Sequence, residues 1–369
     1  MKNYISKATV IGWHNSRNIG DEANLICMKL ILKNFFNISS FYIMCSKKNR
    51  PHIYNKDLIP ILSNYKLINL FFKNFFLKRK IFISDLVIFG PGGVFRSKYS
   101  LEKKIRILEA ANKNAKIIAM GISLETELAK KDVEYKKKLK YFFNKLNFTL
   151  VRDLKSFKLL KKLNIKNVRY ANDFSFVLPH IINTKKKKNN NNKILGVSFC
   201  NWYNNLNDTD LLLNKIYNLI KCLILKYSLQ EIYLFSFSES AEDSDTKYLI
   251  KLKTKILLDY PNIKIALINK DINFSNIYKK ISICDAFIGM RLHSQIFSII
   301  NNIPLIAIDY EEKVRNFYHS NKYKKVFIFN PDLDINYNKV FNFLDANLYK
   351  KKSIKKLFIK DYNFIKNLI

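Results

Sequence analysis

Ser282–Phe317 reads SICDAFIGMRLHSQIFSIINNIPLIAIDYEEKVRNF. A strand-like run, Ala286–Ile288, ends at Gly289, and Arg291 and His293 follow at once. An apolar segment then opens near Ser294, with Ile296, Ile299 and Ile300 at helical spacing. Pro304–Ile308 is a second strand, and Tyr310, Lys313 and Arg315 lie just beyond it. Strand, helix and strand, with polar groups at each strand-to-helix junction, is the repeating unit of a mostly parallel sheet covered by helices.

The same alternation extends outward in both directions. Towards the N-terminus, Ile263–Ile268, Glu231–Phe237 and Ile194–Phe199 are strands of the same series. Ahead of them Thr184–Lys193 (TKKKKNNNNK) is strongly polar and low in complexity, so it reads as a linker or loop. A separate series precedes it: Ala8–Trp13, Ser40–Met44, Leu86–Phe89, Lys116–Met120 and Phe148–Val151. Asp21–Phe36 reads as the first helix, with Asp21 and Glu22 near its N-terminus, where acidic groups complement the helix dipole. Two domains also suit 369 residues at about 150 per domain. The expected architecture is therefore α/β, with Rossmann-like domains over 1–183 and 194–335. The Lys-rich stretch 336–369 is expected to form one or two C-terminal helices that pack back on the first domain.

The formal net charge of +36 invites a nucleic-acid reading. Lys, Asn, Ile, Phe and Tyr crowd the whole chain, however, and runs such as Lys185–Lys188 and Lys350–Lys352 read as solvated faces filled by compositional drift. No zinc spacing, RNP-like aromatic motif or coherent basic helix is present, so nucleic acid is not an expected partner. A residual affinity for an anionic membrane surface is. The five Cys are scattered without ligand spacing, so neither disulfides nor a metal site is expected. With no uncharged apolar stretch of about 18 residues, the expected location is cytoplasmic, peripheral at the inner face of the membrane at most.

The same compositional bias marks residues that a commoner type could not replace. Only 8 Gly occur, at 12, 20, 90, 92, 93, 121, 196 and 289, each beside a strand or inside a polar motif. Arg17, Arg96, Arg152, Arg291 and Arg315 likewise sit in motif segments. Gly12–Glu22 (GWHNSRNIGDE) follows the first strand and opens a helix, where free N–H groups attract an anion; alternatively Gly20 and Asp21 merely turn and cap it. Gly90–Gly93 (GPGG) follows LVIF, as a backbone cradle or as a tight turn. In Val151–Ser156 (VRDLKS), Arg152 either meets a ligand or pairs with Asp153. Asp173, in ANDF, reads as a turn or cap residue. Arg291, His293, Lys313 and Arg315 at two adjacent junctions fit a small polyanion better than a metal.

Taken in order, GWHNSRNIGDE, SDLVIFGPGGVF, MGIS, VRDLKS, ANDFSFVL and the Ser282–Phe317 region resemble the signature segments of the polysaccharide pyruvyl transferases. The resemblance spans about residues 8 to 317, and MRLH followed by Tyr-x-x-Lys is its most specific part. It implies a GT-B-like arrangement with a cleft between two domains. It also implies phosphoenolpyruvate as donor, no cofactor, and a sugar or lipid-linked saccharide acceptor of a cell-surface polysaccharide. By similarity His293 is the acid that reaches the vinyl carbon. Arg291 and Lys313 hold donor phosphate or carboxylate, with Arg315 beside them, and Arg152 matches a further essential cation. The first domain, with Asn18, Gly20, Asp21, Gly90, Gly92 and Gly93, receives the acceptor. The chain departs from the family in reading GPGG for three consecutive glycines, and GIS-Leu-Glu for a common Gly-Ile-Gly-Pro. The principal rival is a GT-B glycosyltransferase using a nucleotide sugar, and a further one is a family member that binds without catalysing.

Overall fold

A computed structural model describes residues 5–14, 18–46, 58–63, 79, 81, 83–184, 193–201, 206–240, 243–269, 273–321, 323–348 and 362. Arg17, most of the 184–193 segment and most of the C-terminal stretch beyond 348 fall outside them. The chain divides into two compact units, Met1–Ser16 with Asp21–Val177 and Leu357–Ile369, and Arg17–Gly20 with Leu178–Lys356. The division between the long segments falls at Val177/Leu178, a few residues ahead of 184. The GWHNSRNIGDE motif is itself divided, Asn18 to Gly20 going with the second unit.

The first unit is built on strands β1 (Lys7–His14), β2 (Ser40–Ser46), β3 (Leu58–Ser63), β4 (Leu86–Phe89), β5 (Gly92–Phe95), β6 (Lys116–Leu124), β7 (Phe148–Val151) and β8 (Val168–Tyr170). Their order is β3-β2-β1-β4-β6-β7-β8, with β5 paired to β6 off this path and every pairing parallel. Helices α1 (Ile19–Phe35), α2 (Lys98–Glu109), α3 (Thr126–Lys131), α4 (Val133–Asn144) and α5 (Leu154–Lys162) alternate with them. Strands β4 and β7 are buried at every position, so they read as unbroken apolar runs rather than as alternation. Against this sheet packs an aromatic cluster in which the Phe142 ring meets Phe89 edge-on at 4.9 Å and Phe95 at 5.3 Å. Strand β3 escapes a periodicity reading because it lies at the sheet edge and carries Pro60, which cannot donate to a ladder and is tolerated there.

The second unit follows with β9 (Ile194–Ser198), α6 (Leu206–Tyr227), β10 (Glu231–Phe235), a short antiparallel hairpin β11 (Glu239–Ser240) and β12 (Asp243–Ser244), and α7 (Thr246–Asp259). It continues through β13 (Lys264–Ile268), α8 (Phe274–Ile281), β14 (Ala286–Gly289), α9 (Leu292–Ile300), β15 (Leu305–Ile308), α10 (Glu312–Ser320), β16 (Val326–Phe329) and α11 (Tyr337–Asn347). The order β13-β10-β9-β14-β15-β16 is again all parallel. Helix α9 differs from the one-faced helix its isoleucines suggest: Leu292 to Ile299 are all buried. Its two serines are satisfied locally, Ser294 Oγ donating to the Arg291 carbonyl at 2.7 Å and Ser298 Oγ to that of Ser294 at 2.8 Å. Cys27, Cys200 and Cys284 are buried free thiols. No helix among the described residues is long and apolar enough to cross a membrane.

Candidate functional site

Each sheet reverses its strand order once beside a strand that opens its unit. In the first unit β1 lies between β2 and β4; in the second, β9 lies between β10 and β14. Open α/β sheets hold their ligands beyond the carboxyl ends of the strands at such reversals, since the flanking loops part there and helix N-termini point in. GPGG follows β4, and MRLH follows β14.

In the second unit, Arg291 is the residue before α9 and His293 lies in its first turn. Gln295 fixes this junction: its Nε2 donates to the carbonyls of Gly289 (2.9 Å) and Met290 (3.0 Å), and also to that of Ile308 (3.2 Å) at the end of the next strand. Both expected junctions are thereby clamped by one side chain, whose Oε1 accepts from the Tyr318 hydroxyl at 2.8 Å. The His293 imidazole sits directly on Gly20. A Cβ at that position would come within 1.9 Å of Nδ1, so no side chain fits. The Asn18 side chain accepts the Gly20 N–H at 3.0 Å and so caps the start of α1.

Arg291 is 6% exposed and meets Asp245 through Nε (3.1 Å) and Nη2 (2.6 Å). Burial opposes its charge, but Cys200, Asp245 and Tyr310 more than restore it, holding the guanidinium firmly protonated. Tyr310 is buried in turn, and burial, with Cys200 and Glu311, pushes its phenol up so that it keeps its proton. Cys200, Arg291 and Tyr310 thus gather just beyond β9, β14 and β15, three neighbouring strands. Lys313 and Arg315 lie in the first turn of α10 and make ion pairs with Glu311 (2.6 Å) and Asp309 (3.5 Å).

In the first unit Gly90 has φ +123°, and a Cβ there would lie 2.2 Å from the Met120 carbonyl oxygen. Of the GPGG segment, read as a backbone cradle or a tight turn, Gly92 and Gly93 open strand β5. The Gly93 carbonyl accepts from Arg96 Nε at 3.0 Å. The Asp21 carboxylate faces this strand, 3.2 Å from where a Cβ of Gly92 would stand. Neighbouring Glu22 is buried, and burial, then Asp21, pushes its carboxyl up to about 7.

The alternative pairing of Arg152 with Asp153 does not occur. Asp153 caps α5, accepting from the Ser156 N–H at 2.7 Å and its hydroxyl at 2.8 Å. Arg152 instead pairs with Asp173 (Nη1 to Oδ2, 2.7 Å) and donates Nε to Ser123 Oγ at 2.9 Å. Asp173 is therefore more than a turn residue: it also accepts from Asn24 Nδ2 (3.1 Å) and the Ser175 N–H (3.0 Å). The sequence reading lacked Asp245, Gln295, Cys200, Tyr310's burial and the Arg152–Asp173 pairing. Scarce carboxylates among so many lysines were the available signal for the two aspartates. Among the described residues, no cluster of His, Cys, Asp and Glu has the makings of a metal site.

The sequence profile described as polysaccharide pyruvyl transferase matches residues 18–312. None of the curated proteins matches the chain. Among solved structures, UDP-GlcNAc 2-epimerase from Methanocaldococcus jannaschii is similar at 11% identity with a TM-score of 0.63, over 98% of this chain and 100% of that one. S. aureus MnaA, in a co-structure with UDP, gives 10% identity and 0.59 over 99% and 98%. The lipopolysaccharide outer core galactosyltransferase WaaB in its apo form gives 11% and 0.50 over 98% and 94%. At such identities the likeness speaks for the fold alone, that of GT-B proteins with two Rossmann-like units.

Proposed function

Since the chain belongs to the polysaccharide pyruvyl transferase family, we propose that it moves pyruvate from phosphoenolpyruvate onto two hydroxyls of a saccharide, forming a ketal and releasing phosphate. The observation that carries this reading is the β14–α9 junction, where a buried, charged Arg291 and the imidazole of His293 share one helix start at the strand-order reversal.

The chemistry asks for few groups. A proton goes from His293 to C3 of the donor, leaving positive charge at C2. One acceptor hydroxyl adds there, the C2–O bond to phosphate breaks, and the second hydroxyl closes the ketal. One hydroxyl proton returns to His293 and the other leaves with phosphate. An imidazole serves both directions near neutral pH, while Arg291 and Lys313 complement the phosphate and carboxylate of the donor. The packing of His293 on Gly20 supports a fixed ring orientation. Arg152, held by Asp173 and Ser123, acts as a supporting cation, and the Asn18–Asp21 and Gly90–Gly93 segments serve the acceptor. The acceptor is a sugar or lipid-linked saccharide, met in the cytoplasm or at an anionic membrane face.

The test is phosphoenolpyruvate turnover and thermal stabilisation. His293→Ala is expected to abolish phosphate release while keeping donor-dependent stabilisation, and Arg291→Ala to lose both. Unimpaired turnover by His293→Ala removes the mechanism. Turnover with UDP- or GDP-sugars and none with phosphoenolpyruvate would establish a nucleotide-sugar glycosyltransferase instead.

A further inference from the structure

Asp245 lies outside every motif of the sequence, in the stretch that joins the β11–β12 hairpin to α7. Its side chain is wholly buried, with 0% exposure. It occupies the cap position of α7, where an aspartate ordinarily bonds the first free N–H groups of its own helix. Here it makes no such bond. One oxygen, Oδ1, accepts from Nε and Nη2 of Arg291 at 3.1 and 2.6 Å. The other, Oδ2, accepts the backbone N–H groups of Phe237 at 2.9 Å and Ser238 at 3.0 Å, with a longer contact from Arg291 Nε at 3.4 Å.

That turn leads on to the other half of the site. The Phe237 carbonyl accepts the Ile19 N–H at 2.9 Å, and Ser238 pairs with Asn18 in an antiparallel bridge. Gly20, on which His293 rests, follows Ile19 directly. We infer that Asp245 is the positioning residue of the candidate donor site. It sets the plane of the Arg291 guanidinium with one oxygen. With the other it holds the Phe237–Ser238 turn, and through that turn the 18–20 segment against which His293 packs. The carboxylate leaves its own helix uncapped and bonds two separated pieces of the site instead, which a purely structural cap does not do. A guanidinium fixed in advance loses less freedom when an anion binds.

This inference rests on reading Arg291 and His293 as donor-site groups, and the experiment separates the two. Asp245→Asn keeps the size, but its NH2 must face either the guanidinium or the backbone N–H groups, donor against donor. Its KM for phosphoenolpyruvate is expected to rise at least about tenfold. Added to Arg291→Lys it should cost little more, because residues acting through one another are not additive. A second readout needs no substrate: the rate at which diethyl pyrocarbonate modifies His293, followed by mass spectrometry on folded protein, should rise in Asp245→Asn. An unchanged KM, or losses that add in the double variant, overturns the inference. If the wild-type protein neither turns over nor is stabilised by phosphoenolpyruvate, the proposed function fails. The His293 modification rate then decides alone, an unchanged rate overturning the inference and a raised one supporting it. Should Asp245→Asn not fold, Asp245→Glu carries the same measurements, since it retains the charge but displaces both oxygens by a methylene.

Discussion

Each unit buries one arginine against one aspartate, and the two pairs are almost equal in length and burial. Arg152 meets Asp173 at 2.7 Å with side chains 8% and 2% exposed, and Arg291 meets Asp245 at 2.6 Å with 8% and 0%. Their surroundings differ. Asp173 shares its oxygens with Asn24 and Ser175, and Arg152 spends a further donor on Ser123, so that network ties α1, the end of β6 and the residues after β8 into one body. Asp245 spends its second oxygen on a turn, and Arg291 stands at a helix start beside His293, Cys200 and Tyr310. Equal geometry thus serves cohesion in the first unit and presentation of charge in the second. A buried ion pair is weak evidence for stability in itself, and its neighbours decide what it does.

The largest effect should come from breaking the cohesive pair. Arg152→Ala leaves Asp173 charged and buried, and is expected to lower stability by about 3–5 kcal/mol in urea unfolding. If Arg152→Ala left stability intact while abolishing turnover, Arg152 would belong with Arg291 and the contrast between the pairs would collapse.

Glu22 sharpens the contrast next, being a buried acid whose shift comes from burial and from Asp21, with no cation among its causes. Its carboxyl is raised from 4.5 to about 7, so the folded state holds the proton more tightly than the unfolded chain does. That contribution is complete below about pH 4.5 and is lost as pH rises through about 7. Glu22→Gln should therefore flatten the fall in stability between pH 5 and 8 and exceed wild type at pH 8 by up to about 3 kcal/mol. Parallel pH profiles for the two proteins would show that the carboxyl is not held neutral.

Gly20→Ala probes the presenting side. A methyl group within 1.9 Å of Nδ1 must push the imidazole aside. Turnover is expected to fall about a hundredfold, and overpacking to cost about 1–3 kcal/mol of stability, as measured by phosphate release and calorimetry. Wild-type turnover in this variant would mean that the position of the ring does not matter.

Much of this was legible in the sequence. Buried parallel strands are long enough to show as apolar runs, so Leu86–Phe89, Phe148–Val151, Ala286–Ile288 and Pro304–Ile308 could be found without coordinates, and the junctions bearing Arg291, His293 and Lys313 with them. The scarce glycines marked close approaches: Gly20 gives room to an imidazole and Gly90 adopts a backbone that other residues avoid. Edge strand β3, with its proline, carried too little pattern to be seen.

What the sequence by itself determined is local: the alternation of elements, the residues at each strand end, and the family those residues spell. What only the tertiary structure decided is partnership. Arg152 chose Asp173, 21 positions away, over the adjacent Asp153, and Arg291 chose Asp245, 46 positions away. The reason is physical. A periodic pattern is set by neighbours a few residues apart, whereas a buried charge is satisfied by whichever opposite group the fold brings within about 3 Å, and no spacing along the chain encodes that choice.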